Sequence, residues 1–262
     1  MRVAVVSPHA RNNGNTTLAM LIGLEYASQN KLTCLTHIMP TSPSFQKYLS
    51  FKNYVDKTST PSQIVKILKE GGLTGDEARD YCKQITENLE VFTNQTTNFN
   101  QDDMNFMYKY IAKAFPHEHV IFDVDDDNLE QCESVIKLCD VVVLNVGQSI
   151  VELDEFRVNK DRYMKVIGNK PIIVVVNQYN STCGSLQDVA KWMGIKKPNG
   201  WLVLHYNPWI RWATNKGNLN SLFRNIIKKD PRVIELQADL FKICSTIAKA
   251  KSVSDKKKGG HK

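Results

Sequence analysis

The sequence predicts an α/β fold, namely a doubly wound, mainly parallel sheet of about seven strands with helices on both faces. Four continuous apolar, β-branched runs are each followed by a helical pattern, as buried parallel strands require. These runs cover residues 3–7, 119–123, 141–146 and 172–177. The chain has 262 residues, 42% of them hydrophobic, which suits one large core better than two small ones. We therefore expect a single domain over residues 1–250.

The remaining elements are weaker in the sequence. Three shorter apolar runs, at residues 32–38, 89–93 and 201–204, complete the predicted sheet. The segment within residues 40–88 has no strong strand pattern and is predicted to be helical, with a break at Gly71 and Gly72 and a helix start at residues 74–77. Residues 251–262 are rich in lysine and glycine and are expected to form a basic flexible tail.

The composition favours a cytoplasmic protein. The six cysteines form no C-x-x-C pair and lie mostly in apolar runs, so neither zinc nor disulfides are indicated. No apolar run reaches the roughly 18–20 residues that span a bilayer, and the first residues show no signal-peptide pattern. The formal net charge of +7 comes partly from the tail and adds nonspecific attraction to nucleic acid or anionic lipid. Peripheral association with a membrane or nucleoid stays open.

The most informative segment is the loop after the first strand. A strand, a loop of turn-forming residues and an apolar helix follow one another within about twenty residues, which presents backbone amides and a helix N-terminus to an anion. The residues that would cradle a phosphate are Arg11, Asn12, Asn13, Gly14, Asn15, Thr16 and Thr17. A P-loop of the form G-x-x-x-x-G-K-[ST] has a lysine before the hydroxyl residue, and here that place holds Asn15.

Two other interpretations of this loop stay open at this point. Asn15 or Thr16 can simply cap the following helix, since asparagine and threonine are ordinary N-cap residues. Alternatively, Ser7 and Pro8 followed by residues 13–16 resemble the phosphate loop of flavodoxin-like FMN reductases.

Asp123 ends a buried strand at the predicted carboxyl edge of the sheet. A carboxylate at that edge can reach a magnesium ion held against nucleotide phosphates. The neighbouring acids Asp125, Asp126 and Asp127 can equally cap a helix in a solvated loop. We expect a capping loop in which Asp123 is the functional member.

The order of the later segments resembles the ParA/MinD family of deviant Walker-A P-loop ATPases over nearly the whole chain. A strand ending in Asp123 is followed by the run D-V-V-V at residues 140–143 with a Gln-Ser loop, then by a strand ending in Asn177 and a last strand with Pro208 in the loop after it. Within the family, residues 40–93 look most like the pilus-localisation branch typified by TadZ and CpaE.

The resemblance implies roles for individual residues. Gly14, Thr16 and Thr17 match the glycine and the two hydroxyl residues of the phosphate loop, and Thr16 and Asp123 would be the magnesium ligands. Asn177 matches the residue that hydrogen-bonds the adenine edge, and Pro208 would lie in the loop over the base. ATP or ADP with Mg²⁺ is the cofactor that the family implies.

The same resemblance shows what this chain lacks. Asn15 replaces the conventional lysine, and Ala10 occupies the position of the signature lysine that reaches across a dimer. No carboxylate occurs at residues 37–39, where the family has an acid that helps to position the attacking water. Because phosphoryl transfer depends on positive charge and positioning, weak or absent hydrolysis is expected.

The leading hypothesis is a dimerising positioning or partition protein with a degenerate nucleotide site, serving a plasmid, a mobile element, or a pole or pilus machine. Its expected partners are a second copy, a protein at the pole, pilus or partition complex, and nonspecific DNA held by basic residues late in the chain. One alternative is an active Mg-ATP-dependent partition ATPase in which Arg11 takes over the lysine role. The other is the flavodoxin-like FMN-binding reductase.

Overall fold

A computed structural model describes residues 1–8, 14–38, 44–50, 61–71, 74–92, 101–124, 129–195, 201–228 and 230–259. Its centre is an eight-stranded sheet in the order β3-β4-β2-β5-β1-β6-β7-β8. The strands are β1 (Arg2–Val6), β2 (Thr33–Ile38), β3 (Lys83–Thr86), β4 (Leu89–Phe92), β5 (His119–Val124), β6 (Val141–Val146), β7 (Ile172–Tyr179) and β8 (Leu202–His205). All neighbouring strands are parallel except β3 and β4, which are antiparallel.

Helices connect these strands on both sides of the sheet. They are α1 (Asn15–Ser28), α2 (Ser44–Tyr48), α3 (Pro61–Lys69), α4 (Gly75–Arg79), α5 (Gln101–Ala114), α6 (Glu133–Ile136), α7 (Ile150–Ile167), α8 (Leu186–Trp192), α9 (Pro208–Asn215), α10 (Leu219–Ile227) and α11 (Ile234–Gly259). The predicted helix start at Thr74 is confirmed, because Thr74 and Glu77 form a reciprocal capping box at α4. No helix in the described ranges is both long and apolar enough to cross a membrane.

The two faces of the sheet carry separate hydrophobic cores. Ala4 and Val6 of β1 pack on the face covered by α5 and α7, whereas Val3 and Val5 pack on the face covered by α1 and α11. All four side chains are fully buried, as the alternating directions of successive side chains in a doubly covered strand require. The doubly wound α/β fold predicted from the sequence is therefore confirmed.

The seven predicted strands all form, but the helical assignment within residues 40–88 is wrong at its end. Lys83–Thr86 is an eighth strand, antiparallel to β4 at the edge of the sheet, with a register shift between Gln84 and Thr86. The first two residues of this strand, Lys83 and Gln84, are exposed, so the strand forms without an apolar run. The segment has no periodic apolar signal because it has almost no core to face.

The predicted flexible tail also differs from the structure. Helix α11 continues to Gly259, so residues 251–259 are helical, and residues 260–262 lie outside the described part. Between Lys249 and Lys258 the sequence has no glycine or proline, and lysines near a helix C-terminus interact favourably with the helix dipole. The basic residues therefore extend a helix that is packed on the sheet further up.

Strand order separates this fold from a flavodoxin. A flavodoxin-like sheet has the order 2-1-3-4-5, in which the second strand pairs directly with the first. Here β5 lies between β1 and β2, so that β1 has β5 and β6 as its neighbours. The order does not favour the flavin-reductase alternative.

Candidate functional site

The turn from β1 into α1 ends at Gly14, whose backbone conformation and close neighbour favour glycine. Gly14 is the N-cap residue of α1 and has φ 72° and ψ 23°, in the left-handed region. A Cβ atom added there would lie 2.7 Å from Nδ2 of Asn177. No side chain in the described part caps this helix end, so its first amides remain available to an anion. Arg11, Asn12 and Asn13 of the predicted phosphate loop lie outside the described residues, as does Ala10.

Asn15 stands at the start of α1 with its amide directed at the sheet. Its Nδ2 lies 3.1 Å from the carbonyl oxygen of Val5, 2.7 Å from Oδ1 of Asp123 and 3.1 Å from the carbonyl oxygen of Val124. The side chain thereby connects the carboxyl ends of β1 and β5. The side chain at the position where the family resemblance implies a lysine is thus neutral, and its amide binds to the ends of β1 and β5.

Asp123 is buried near the end of β5, between the amide of Asn15 and the imidazole of His37. Only 1% of the residue is exposed. Its Oδ1 accepts the bond from Asn15, and its Oδ2 lies 3.6 Å from Nε2 of His37. His37 is the register partner of Asp123 on β2, and its carbonyl oxygen accepts a hydrogen bond from the Tyr108 hydroxyl at 2.9 Å. A histidine therefore occupies the end of β2, where the family resemblance led us to look for a carboxylate.

Thr16 and Thr17 follow on the first turn of α1 and are both half-buried. Thr17 and Gly14 both line a cleft at the carboxyl edge of the sheet. Thr16 lies beside them on the same turn but is not among the described residues that line it. The structure therefore brings two of the predicted loop residues, Gly14 and Thr17, to the cleft wall.

The cleft has a volume of about 550 Å³ and opens at the carboxyl edge of the sheet. That size lies within the usual range for small-molecule sites. The start of α1, the end of β7 and the segment from β8 into α9 supply most of its wall. Its described lining residues are Gly14, Thr17, Tyr48, Asn177, Gln178, Leu204, His205, Tyr206, Asn207, Ile210, Arg211 and Thr214.

Asn177 connects the end of β7 to the phosphate loop. Its Nδ2 lies 3.4 Å from the carbonyl oxygen of Gly14, and its Oδ1 accepts a hydrogen bond from the amide of Gln178 at 2.8 Å. Gln178 has φ 51°, and the pairing of β7 with β8 shifts between Asn177 and Tyr179. This irregularity ends the regular strand and places the Asn177 side chain, 5% exposed as a residue, at the cleft wall.

The opposite wall comes from α9, of which only Pro208 was singled out from the sequence. Asn207 caps the helix by accepting a hydrogen bond from the Trp209 amide, and Pro208 is its first residue. Pro208 itself is not one of the described lining residues, although its neighbour Asn207 is. The spacing of residues 207, 210, 211 and 214 puts one face of the helix toward the cleft, a signal that the sequence did contain.

Arg211 gives this wall its charge. Among the described lining residues it alone carries a permanent positive charge. His205 at the end of β8 also lines the cleft and is fixed to α11. Its backbone amide and its Nδ1 both lie 2.9 Å from Oδ2 of Asp239.

The sheet order, the β1–α1 turn and the cleft define a doubly wound α/β protein with a small-molecule cleft at the carboxyl ends of its strands. No family model and no curated protein matches the chain. Solved structures do match it. A ParA family ATPase from Chlorobium tepidum TLS superposes with a TM-score of 0.70 at 13% identity, over 91% of this chain and 95% of that one.

Two MinD structures are similar to nearly the same extent. The MinC:MinD cell division protein complex of Aquifex aeolicus gives a TM-score of 0.69 at 14% identity, with 94% of this chain and 95% of that chain covered. The septum site-determining protein MinD of Pyrococcus horikoshii OT3, complexed with Mg-ADP, gives 0.66 at 12% identity, with 94% and 95% covered. The chain therefore has the MinD/ParA-type fold that the sequence resemblance implied.

Proposed function

We propose that this chain is a ParA/MinD-like positioning or partition protein that binds ATP or ADP with Mg²⁺ in the cleft and hydrolyses ATP slowly or not at all. The fold and the position of the cleft support nucleotide binding, because ligands of open α/β sheets bind at the carboxyl ends of the strands. The orientation of Asn15 is the observation that carries the second half of the proposal.

A lysine at the position of Asn15 would deliver a cation to the β- and γ-phosphates. The Asn15 amide is neutral and donates toward Val5, Asp123 and Val124 instead. Catalysis of phosphoryl transfer is almost entirely electrostatic and positional, so the absence of this charge removes a main source of rate. Backbone amides and the dipole of α1 still favour a bound phosphate.

The described residues fit a nucleotide with magnesium. The hydroxyl of Thr16 and the carboxylate of Asp123 are oxygen ligands of the kind that Mg²⁺ prefers. Oδ2 of Asp123 is buried and has no hydrogen-bond partner in the described part of the chain, which leaves a lone pair for a cation or for His37. When bound, the metal neutralises phosphate charge. Asn177 and the loop at Pro208 are the proposed contacts to the adenine.

Arg11 remains the centre of the alternative, an active ATPase in which this side chain replaces the missing lysine. An arginine fork differs in geometry from a lysine ammonium, which weakens that substitution. Arg11 lies outside the described residues, so the alternative is decided by experiment.

The biological role we propose is positioning of a plasmid or mobile element, or of a pole or pilus machine, by a homodimer. The TadZ/CpaE-like resemblance of residues 40–93 supports the pilus version of this role. Dimer formation, a protein partner and peripheral association with membrane or nucleoid are proposed with it, in a cytoplasmic location.

DNA is the weaker partner in this proposal. Of the basic residues late in the chain, Arg232 is paired with Asp230 and lies 4.8 Å over the ring of Trp209. Lys251 lies 3.6 Å from Oδ2 of Asp140. These intramolecular partners reduce the charge that can neutralise phosphates, while Lys228 and Lys249 are exposed. A protein partner therefore fits this surface better.

The decisive experiment is a titration with ATP and ADP in the presence of Mg²⁺, combined with turnover measurements on three proteins. Wild type should bind nucleotide and turn over well below about one per second, the low end of ordinary enzyme rates. Asn15→Lys should bind ATP at least about tenfold more tightly or turn it over faster, because it restores the cation. Asn15→Ala is the control, since it removes the amide and adds no charge.

Two outcomes would contradict the proposal, and one further variant tests the alternative. No binding of either nucleotide would remove the cofactor, and wild-type turnover near one per second would remove the degenerate site. If Arg11→Ala then abolished that turnover, the active-ATPase alternative would be correct.

The nucleic-acid question needs its own measurement. Fluorescence anisotropy with duplex DNA at two salt concentrations should compare the full chain with one truncated after Ser252, which retains the last buried residues of α11. We expect weak binding at low salt that is lost at high salt and reduced by truncation. Absence of binding at low salt would remove DNA from the list of partners.

A further inference from the structure

We infer that Cys34, Cys82 and His117 form a binding site for one zinc ion at the amino-terminal edge of the sheet. One ligand atom from each residue lies within 4.8 Å of the other two. Cys34 is the second residue of β2, Cys82 directly precedes β3, and His117 lies two residues before β5. Cys34 and His117 lie toward the amino ends of β2 and β5, opposite the nucleotide cleft, and Cys82 joins them from the start of the antiparallel strand β3.

The separations are close to those of a zinc site. With Zn–S bonds of about 2.3 Å and Zn–N bonds of about 2.0 Å, the ligand atoms of a tetrahedral centre lie about 3.5–3.8 Å apart. Side chains whose ligand atoms are already within 4.8 Å need to move by an ångström or less to meet a shared ion. No change of strand pairing is required, because all three residues are held by backbone elements of the same sheet.

A second observation is that one ring nitrogen of His117 is buried without a hydrogen-bond partner among the described residues. Nε2 of His117 lies 2.9 Å from Oε2 of Glu90, while Nδ1 is buried without a hydrogen-bond partner in the described part of the chain. With the proton on Nε2 and directed at the carboxylate, the lone pair of Nδ1 is left for a ligand. Zinc-bound histidines almost always make such a hydrogen bond through their other nitrogen.

The carboxylate that orients His117 is itself fixed. Nε of Arg79 donates to Oε1 of Glu90 at 2.7 Å. Arg2 adds a second guanidinium, which donates to the carbonyl oxygen of His117 at 2.9 Å. The zinc ion itself balances the charge of two bound thiolates, and Arg79 balances that of Glu90.

The donor set selects the ion. Two sulfur atoms and one imidazole nitrogen suit zinc and are poor ligands for Mg²⁺, which prefers oxygen. Cys34 and His117 are buried and Cys82 is half-buried, and these three side chains leave the fourth position of a tetrahedral zinc centre to a water molecule. The site would connect the edge hairpin of β3 and β4 to β2 and to the segment before β5.

The test measures metal content and a Co²⁺ spectrum on the full-length protein. After equilibration with zinc and desalting, wild type should retain about one ion per chain. Co²⁺ should give the sulfur-to-cobalt charge-transfer absorption and the strong visible bands of a tetrahedral site. Zinc should also raise the thermal unfolding midpoint, and Mg²⁺ should not.

Cys82→Ser and Cys183→Ser form the matched pair of variants. Each changes one thiol to a hydroxyl, but Cys183 is exposed and lies outside the cluster. Cys183→Ser should behave as wild type, while Cys82→Ser should retain no zinc and show no charge-transfer band, with circular dichroism confirming that it is folded.

Two results from wild type alone would overturn the inference, whether or not the variant folds. One is failure to retain zinc or to change the Co²⁺ spectrum. The other is the loss of two titratable thiols without reductant and their recovery with it, which would show that Cys34 and Cys82 form a disulfide instead. Zinc retention by folded Cys82→Ser equal to that of wild type would also reject it.

Discussion

The two edges of the central sheet are built in different ways. At the carboxyl edge, Gly14, Asn15 and Thr17 follow one another along the chain and meet only a few residues from elsewhere. At the amino edge, Cys34, Cys82, Glu90 and His117 come from four separate segments. The first arrangement has a pattern in the sequence, and the second has none. A local motif shows where a site is, but only the folded chain shows a site assembled from distant residues.

The edges also differ in what their polar groups do. At the amino edge the imidazole of His117 is fully buried and bonded to a carboxylate, so its removal should affect stability. At the carboxyl edge Gly14, Thr17 and Asn177 line the cleft, and Asp123 lies buried beside Asn15, so substitutions there should affect binding more than stability. Substitutions at the amino edge should therefore change mainly stability, and substitutions at the carboxyl edge mainly binding.

The largest expected effect is that of His117→Ala. The ring is fully buried, stacks on Phe115 at 5.5 Å and bonds Glu90, so its loss creates a cavity and deprives a buried carboxylate of one partner. The free energy of unfolding should fall by about 3–4 kcal/mol. Urea denaturation in the presence of EDTA measures this without any metal contribution. Glu118→Ala, at an exposed neighbouring position, is the control, and a loss under about 1 kcal/mol for His117→Ala would contradict the structural role.

Asp123→Asn should have the converse effect at the other edge. The amide oxygen can still accept the bond from Asn15, so we expect the free energy of unfolding to change by less than about 1 kcal/mol. Affinity for ATP in Mg²⁺ should fall by about tenfold, or 1.4 kcal/mol, because a charged magnesium ligand is lost. Calorimetric titrations with Mg²⁺ and with EDTA measure the difference. An equal loss under both conditions would mean that Asp123 acts without the metal.

His119, the first residue of β5, gives the amino edge a pH dependence. Burial is the main reason that the pKa of His119 is lowered from 6.5 to about 4, and its ring stacks on Tyr26 at 4.1 Å. As pH falls from 7, the unfolded chain takes up this proton first, so the free energy of unfolding decreases between pH 6.5 and 4 and the contribution levels off below that range.

At pH 5 the loss should be about 1 kcal/mol relative to pH 7, with allowance for solvent near a partly buried ring. Denaturation curves at the two pH values measure it. His119→Gln should remove most of this slope, and an unchanged slope would assign the pH dependence to other groups.

The smallest expected effect is on base selectivity at the cleft. Asn177→Ala removes the side chain that contacts Gly14 and would bond the adenine edge. We expect the preference for ATP over GTP to fall about threefold, or about 0.7 kcal/mol, measured by competition binding. Asn180→Ala, which affects the cap of a short helix outside the cleft, should leave the preference as it is. An undiminished preference in Asn177→Ala would reject its role at the base.

Most of the fold was predictable because buried parallel strands are continuous apolar runs. The exceptions share a cause. Strand β3 faces little core and so has no apolar period, and residues 251–253 of α11 are half-buried or exposed. Periodicity reports burial, so elements with little burial do not appear in it.

The sequence predicts those parts of the candidate site that depend on residues close together in the chain or at the ends of neighbouring strands. Gly14, Thr17 and Asn177 line one cleft because strand ends of a parallel sheet share an edge. That His37 faces Asp123 depends on the register of β2 against β5, which nothing in the sequence specifies. The contribution of Arg211 depends on the position of α9, and the cysteine cluster depends on the pairing of β2 with β4 and β5.

The central place of β1 has a consequence for how the molecule is made. Its first residue, Arg2, donates its backbone amide to Asp140, 138 residues away, and its guanidinium to Ala112, 110 residues away. At roughly 5–20 residues per second, β1 waits about 7–30 s during synthesis before β6 follows it from the ribosome. Until β5 is made, both edges of β1 offer unpaired backbone groups to other chains, and the edge that pairs with β6 stays unpaired until β6 follows. The cleft and the cysteine cluster thus depend on a nascent strand that must keep one edge unpaired while more than half of the chain is translated.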